Sequence, residues 1–224
     1  MKIISIIPAR GGSKEIPMKN LALICKKPLL QYSVNASLKS YHIDRTIVST
    51  DNIKIEKLAK KLGADVIRRP KKISGDKSKI EATISHVLEN LEKNNDYIPD
   101  IIILLQNTSP LRTTDHIDAA IKFFKQSNYD SVLSGFLSHY FLWIKKGKEV
   151  MPENYFPQKR PNREQMKKEF IENGAIYITK YSSFKKTNCR ISGKIGLFEM
   201  PQELSYEVDS KNDLFIIEQI LKRK

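Results

Sequence analysis

The stretch 3–14 reads Ile-Ile-Ser-Ile-Ile-Pro-Ala-Arg-Gly-Gly-Ser-Lys, and it goes furthest towards deciding the fold class. Its first half is rich in β-branched residues and predicts a buried strand. Gly11 and Gly12 then interrupt the strand, because glycine permits backbone conformations that other residues resist. Apolar residues at helical spacing follow over 29–38. A strand, a glycine loop and a helix in this order are typical of the first unit of an α/β fold.

The unit of strand, loop and helix occurs four times in total within about the first 125 residues. The further predicted strands are 45–50, 64–68, 100–105 and 130–134, and the predicted helices are 52–62, 79–91 and 113–124. Regular alternation returns at 174–179 and 194–200, before a closing helix at 209–221. The repeated unit predicts a parallel sheet with helices on both faces. Ligands of such folds bind beyond the carboxyl ends of the strands.

Composition narrows the class of protein. The chain has 224 residues, of which 40% are hydrophobic and 29% charged, so a disordered chain is excluded. Apolar runs reach five residues, as at 101–105, whereas a membrane span needs about 20. The N-terminal apolar run is too short for a signal peptide, so we expect a cytoplasmic protein without a membrane partner. Cys25 and Cys189 lie far apart and lack metal-ligand spacing.

A net charge of +14 indicates anionic partners. The basic residues are scattered, and none of the short nucleic-acid-binding signatures is present. We therefore expect no nucleic-acid partner, and a basic nucleic-acid-binding module is the alternative from another functional class.

The loop 8–20 reads Pro-Ala-Arg-Gly-Gly-Ser-Lys-Glu-Ile-Pro-Met-Lys-Asn and carries three cations, Arg10, Lys14 and Lys19. Consecutive backbone amides of a glycine-rich loop can cradle phosphate oxygens, and a triphosphate needs this density of positive charge. The pattern matches neither Gly-x-x-x-x-Gly-Lys nor Gly-x-Gly-x-x-Gly. We interpret it as a phosphate-binding loop, with a solvated glycine turn as the alternative.

Polar residues in two other segments are suited to a sugar or a base. Gln106 and Asn107 follow the most apolar predicted strand and offer neutral donors and acceptors. Arg163 could pair with a substrate carboxylate, while Asn173 and Tyr177 could bond hydroxyls. Helix capping and simple turns are the alternatives for these segments.

An acidic pair, Glu207 and Asp209, precedes the closing helix. On an extended segment, residues two apart share one face. Two carboxylates so placed can hold Mg²⁺, which prefers oxygen ligands and keeps several waters. The alternative role for Asp209 is that of the helix N-cap.

Six segments together resemble the CMP-sialic acid synthetases, also called acylneuraminate cytidylyltransferases. They occur in the family's order and span nearly the whole chain. They are IIPARGGSKEIPMKN (6–20), VSTDN (48–52), RRP (68–70), LLQNTSPLR (104–112), ENGAIYI (172–178) and SYEVDSKNDL (205–214). The first and fourth segments are specific signals of the family, whereas VSTDN and RRP are weak signals.

The resemblance implies one Rossmann-like α/β/α domain over 1–224, of the nucleotidyltransferase type and homodimeric. An irregular insertion at about 137–172 would reach across to the dimer partner. It also implies that CTP and a nine-carbon α-keto acid sugar give the CMP-sugar and pyrophosphate, with Mg²⁺.

The resemblance also implies roles for individual residues of the matching motifs. Those expected to contact CTP are Arg10, Gly11, Ser13, Lys14, Lys19 and Asn20. Those expected to face the sugar are Gln106, Arg163, Asn173 and Tyr177. Asp209 would bind the metal with Glu207 beside it, and the expected catalytic residues are Arg10, Lys19 and Asp209.

Three positions depart from the family pattern. Glu15 stands where glycine is usual, Asn107 replaces a proline, and Glu207 replaces an aspartate. Glu15 would weaken phosphate binding unless it points away from the loop. Because of this carboxylate, one alternative is that the chain is an inactive homologue of the family. A legionaminic, pseudaminic or Kdo substrate is the alternative to an N-acylneuraminate.

Overall fold

The computed structural model describes residues 1–223, apart from the side chain of Asn95, and contains eleven strands and six α-helices within that range. The strands are β1 (Ile3–Pro8), β2 (Leu23–Ile24), β3 (Lys27–Pro28), β4 (Arg45–Thr50), β5 (Asp65–Arg68), β6 (Ile101–Leu104), β7 (Ser131–Ser138), β8 (Trp143–Lys146), β9 (Glu149–Pro152), β10 (Glu169–Lys180) and β11 (Ile195–Glu199). The helices are α1 (Leu29–Leu38), α2 (Ile53–Lys61), α3 (Ile80–Asn95), α4 (Thr114–Lys125), α5 (Tyr181–Thr187) and α6 (Lys211–Lys222). The predicted succession of strands and helices is confirmed.

Seven strands form the central sheet, in the order β11-β7-β10-β6-β1-β4-β5. All neighbouring pairs are parallel except those of β10, which runs antiparallel to both β6 and β7. The expectation of a mostly parallel sheet is therefore confirmed. Because β10 runs in the opposite direction, its N-terminal half lies at the edge where the parallel strands have their carboxyl ends.

Helices cover both faces of this sheet because its strands are apolar on both sides. Ile3 and Ile7 of β1 pack in one core with α1, α2 and α4, while Ile4 and Ile6 pack in a second core with α3 and α5. Residues of a strand point alternately to opposite faces, so a continuous apolar strand requires two covering layers. The predicted three-layer α/β/α arrangement is confirmed.

Local capping chemistry sets where the helices begin. Asn52 caps α2 by accepting hydrogen bonds from the backbone N–H groups of Lys54 and Ile55. Ser210 caps α6 in a capping box with Asp213. The alternative interpretation of Asp209 as the N-cap of this helix is therefore wrong, since Asp209 lies one residue before the cap.

The insertion predicted to be irregular contains regular structure. Strand β7 continues to Ser138, and β8 and β9 form an antiparallel hairpin that turns at Gly147 with φ +62°. Nearly all residues of this hairpin are exposed. The hairpin therefore lacks the alternation of buried and exposed side chains by which a strand can be recognised in a sequence. The prediction of an irregular segment over 137–172 is wrong in this respect.

Among the described residues, no helix combines the length and apolar character that crossing a membrane requires.

A buried arginine holds the loop after β6 in place. Arg112 is 2% exposed; its Nη1 donates to the carbonyl oxygens of Gln106 (3.0 Å) and Ala175 (3.1 Å). Its Nη2 donates to Ser33 Oγ at 2.7 Å. Burial lowers the pKa of Arg112 to about 9, so the group remains charged at neutral pH.

Replacing Arg112 with methionine is expected to lower the free energy of unfolding by about 2–4 kcal/mol, because the Ala175 carbonyl and the Ser33 hydroxyl lose a buried donor. Urea unfolding of the variant and the wild type measures the difference. Arg68→Met is the matched control, since Arg68 is exposed, and it should change stability by less than about 0.5 kcal/mol. Equal stabilities of the two variants would contradict this role for Arg112.

Candidate active site

A cleft of about 370 Å³ opens where the parallel strands of the sheet have their carboxyl ends. Loops that follow β1, β5 and β6 meet there, as expected for ligand sites of open α/β sheets. The lining residues are Pro8, Arg10, Gly12, Ser13, Lys19, Asn20, Arg69, Gly75, Asp76, Ser78, Ile80, Thr83, Gln106, Asn107, Thr108 and Arg190.

The glycine loop is held in shape by residues at the ends of β4 and β6. The Gly11 N–H donates to Asp51 Oδ1 at 2.8 Å, and Asn20 Nδ2 donates to the Arg10 carbonyl at 2.7 Å. Asn107 Nδ2 in turn donates to Asn20 Oδ1 at 2.6 Å. A Cβ at position 11 would lie 2.7 Å from Asn52 Nδ2, so this position requires glycine. Asn107 thereby ties the loop to the end of β6.

Two of the three predicted phosphate-binding cations share one carboxylate. Arg10 Nη1 lies 2.7 Å from Asp76 Oδ1, and Lys14 Nζ lies 3.0 Å from Asp76 Oδ2. These cations, Lys14 foremost, lower the pKa of Asp76. Lys14 is 81% exposed and lies outside the cleft lining. Glu15 is exposed, also lies outside the lining, and forms no ion pair with a described residue.

The third cation reaches the acidic segment near the C-terminus. Lys19 Nζ donates to the Val208 carbonyl at 2.8 Å and lies 3.2 Å from Asp209 Oδ1. The buried Val208 packs inward, and its N–H donates to the Thr108 carbonyl at 2.8 Å. The start and the end of the chain therefore meet at this cleft, 190 residues apart in sequence.

Glu207 lies close to Asp209 and accepts a hydrogen bond from Thr108 Oγ1 at 3.3 Å. Burial, followed by the negative charge of Asp209, raises the pKa of Glu207. Gly174 has φ +65°, and a side chain there would collide with the Glu207 carboxylate. Two carboxylates that repel each other beside a cationic cleft fit a divalent cation, whose charge would relieve the repulsion. Within residues 1–223, no cluster of three or more His, Cys, Asp or Glu residues is placed to hold a metal.

The four residues predicted to face the sugar lie in different environments. Gln106 lines the cleft. Arg163 is exposed on a short 3-10 helix, Arg163–Gln165, and does not line the cleft. Asn173 is 2% exposed: its Oδ1 accepts from Ser134 Oγ (2.6 Å) and its Nδ2 donates to Ser205 Oγ (2.9 Å). Tyr177 is equally buried, and its hydroxyl donates to Glu172. Burial and that carboxylate raise the pKa of Tyr177.

Sequence reasoning missed three charged residues of the cleft. Arg69 is buried and donates through Nη2 to the Ser49 carbonyl at 2.7 Å; burial lowers its pKa. The RRP motif could have indicated that Arg69 lies in the cleft, because the motif lies at the end of β5, and β5 and β1 end at the same edge of the sheet. Asp76 and Arg190 come from loops without a recognisable pattern, so no sequence signal marked them.

The family model described as Cytidylyltransferase matches residues 4–222. The chain belongs to the cytidylyltransferase family. The chain is 35% identical to the N-acylneuraminate cytidylyltransferase of Oncorhynchus mykiss over 225 residues, which cover 99% of this chain and 50% of the relative. It is 28% identical to that of Streptococcus agalactiae serotype V (strain ATCC BAA-611 / 2603 V/R), with 95% and 52% covered. The chain thus spans about half the length of the curated relatives it matches, and the resemblance inferred from the motifs is confirmed.

Solved structures confirm the fold of this chain. A CMP:2-keto-3-deoxy-manno-octonic acid synthetase, determined in complex with CTP, matches with a TM-score of 0.71 and 17% identity, covering 100% of this chain and 99% of that one. A 4-diphosphocytidyl-2C-methyl-D-erythritol synthase matches with a TM-score of 0.72 and 10% identity, covering 98% and 99%. At such identities these similarities establish the nucleotidyltransferase fold.

Proposed function

We propose that this chain transfers the cytidylyl group of CTP to a nine-carbon α-keto acid sugar of the N-acylneuraminate type. The products are the CMP-sugar and pyrophosphate. One observation carries the proposal: in a member of the cytidylyltransferase family, Arg10 and Lys19 line a single cleft, and Lys19 pairs with Asp209. Relatives named N-acylneuraminate cytidylyltransferase match nearly the whole chain and support the choice of sugar.

In the proposed reaction, the anomeric hydroxyl of the sugar attacks the α-phosphorus of CTP, and pyrophosphate leaves in line. The oxygen–phosphorus bond to the sugar forms as the bond to pyrophosphate breaks, and the hydroxyl proton passes to solvent. The main contributions of the protein are positioning and charge neutralisation. Arg10 and Lys19 neutralise charge on the phosphates, and Gly11, Ser13, Lys14 and Asn20 complete the nucleotide site. Gln106, Arg163, Asn173 and Tyr177 are the proposed sugar-binding residues.

Cytidylyltransferases of this kind generally use a divalent metal, and we propose Mg²⁺. Asp209 and Glu207 would hold it, since Mg²⁺ in phosphate-transfer sites uses one or two carboxylates together with water and substrate phosphates. When bound, the metal would neutralise phosphate charge and lower the pKa of a coordinated water.

The assembly and the sugar are further parts of the proposal. We propose a homodimer of single-domain chains that acts in the cytoplasm, with the β8–β9 hairpin at the dimer contact. The exposed apolar side chains Trp143, Ile144, Val150 and Met151 on that hairpin support this contact.

Legionaminic acid, pseudaminic acid and Kdo are the competing substrates, because they share the α-keto acid group.

Pyrophosphate release with CTP, Mg²⁺ and a panel of these sugars tests the function. We expect release with CTP and an N-acylneuraminate, and none when the sugar is omitted. Faster release with another acid of the panel would reassign the sugar. No release with any sugar, together with salt-sensitive binding of the chain to DNA or RNA, would overturn the proposal in favour of a nucleic-acid-binding module.

Removal of divalent metal is expected to abolish this release. The purified protein is treated with excess EDTA, dialysed and assayed with CTP and sugar, and activity should return when Mg²⁺ is added. Circular dichroism should show an unchanged fold throughout, because the cores of the protein are apolar and need no metal. Full activity in EDTA would contradict the metal role of Asp209 and Glu207.

A further inference from the structure

We infer that Arg190 is a specificity-determining residue that donates hydrogen bonds to a neutral oxygen of the sugar, a hydroxyl or an acyl carbonyl. This inference rests on the proposed function. Its basis is that the cleft wall beside Tyr177 is formed by this arginine, which belongs to none of the motifs found in the sequence.

The loop after α5 is pinned where it delivers Arg190 to the cleft. The Thr179 hydroxyl of β10 donates to the Arg190 carbonyl. The Ser131 hydroxyl of β7 donates to the Ser192 carbonyl at 2.8 Å. Both anchors lie on the central sheet, so the backbone around Arg190 is tied to a rigid element. A substrate-contacting residue needs such support to keep its position.

The Arg190 side chain covers the tyrosine that was expected to meet the sugar. Its guanidinium carbon lies 4.8 Å from the centre of the Tyr177 ring, within the range of a cation–π contact. Tyr177 is 2% exposed and lies outside the cleft lining, whereas Arg190 lines the cleft. A sugar in this cleft therefore meets the guanidinium of Arg190 before the phenol of Tyr177.

Two carboxylates orient the guanidinium and limit what it can bind. Arg190 Nη1 lies 2.6 Å from Glu81 Oε1, and Nη2 lies 3.9 Å from Glu172 Oε1. A substrate carboxylate placed here would face two negative charges against one positive charge, which is unfavourable in a partly buried site. A neutral oxygen meets no such repulsion.

The guanidinium also keeps spare hydrogen-bonding capacity. It carries five N–H donors. Nη1 donates to Glu81 Oε1 at 2.6 Å, whereas Nη2 lies 3.9 Å from Glu172 Oε1, beyond hydrogen-bond distance. A neutral acceptor in the cleft can use the Nη2 donors without displacing Glu81. The nine-carbon acids differ in their acyl and ring substituents, so a donor at this wall can discriminate between them.

Steady-state kinetics of Arg190→Gln with varied sugar and varied CTP tests the inference. We expect the KM for the preferred sugar to rise by roughly 10-fold or more, because a charge-assisted hydrogen bond is lost. The KM for CTP should stay within about 2-fold of the wild type. The ratio of kcat/KM between two sugars that differ in one substituent should fall towards one. Arg190→Lys should recover part of the loss.

Glu81→Gln is the matched control, since it removes the charge of the ion pair while the amide oxygen still accepts from Arg190 Nη1 and keeps the guanidinium oriented. Glu81 lies outside the cleft lining. A small change in Glu81→Gln beside a large change in Arg190→Gln supports the inference. Equal losses in both variants, or an unchanged sugar KM in Arg190→Gln, would overturn it while the proposed function stands. No turnover by the wild type with any sugar would overturn the proposed function and this inference together.

Discussion

Replacement of Lys19 by alanine is expected to lower kcat for the CTP reaction by roughly 10²–10³-fold, the size seen when a donor to developing transition-state charge is removed. Lys19 lines the cleft, and its Nζ bridges the Val208 carbonyl and the Asp209 carboxylate. This position places the cation between the proposed phosphate-binding loop and the proposed metal site. Steady-state pyrophosphate release at saturating CTP and sugar measures the effect.

The fold should survive this change. The lost ion pair joins Lys19 to an Asp209 carboxylate whose side chain is 75% exposed, and such pairs contribute little to stability. Lys57→Ala is the control, because Lys57 is an exposed lysine on α2 outside the cleft. Near wild-type turnover of Lys19→Ala would refute the role of this lysine, whatever the stability of the variant.

Replacement of Asp209 by asparagine should produce a loss of activity of similar size, roughly 10²-fold or more, because the proposed metal site loses the charge of one of its two carboxylates. The amide keeps the shape of the side chain, so packing is preserved. Titration of activity with Mg²⁺ should show half-saturation shifted to higher concentration. This shift separates a metal role from a purely electrostatic role of Asp209 towards Lys19.

Glu203→Gln is the control for Asp209→Asn. Glu203 is an exposed acid on the neighbouring 3-10 helix Gln202–Leu204, whereas Asp209 pairs with the cleft residue Lys19. The control should retain wild-type turnover and Mg²⁺ dependence. If Asp209→Asn keeps full activity at the Mg²⁺ concentration that half-saturates the wild type, the acidic pair does not hold the metal.

The glycine loop and the strands around it were predictable because their signals are local. β-branched runs such as Ile3–Pro8 and helical spacing of apolar residues arise from the geometry of each element alone. Arg10, Ser13, Lys19, Asn20 and Gln106 follow such strands closely, and the structure places all five on one cleft. Adjacent parallel strands bring the residues after them together, so this clustering needed no knowledge of distant contacts.

The sequence by itself determined the α/β class, the two-sided covering of the sheet and the loop that lines the cleft, since each depends on hydrophobic periodicity within about ten residues. Tertiary structure alone decided that β10 runs antiparallel between β6 and β7, that Asp76 pairs with Arg10 and Lys14, and that Arg190 covers Tyr177. These contacts join residues many positions apart in the chain. Sheet order and loop packing create them, and no local spacing encodes either.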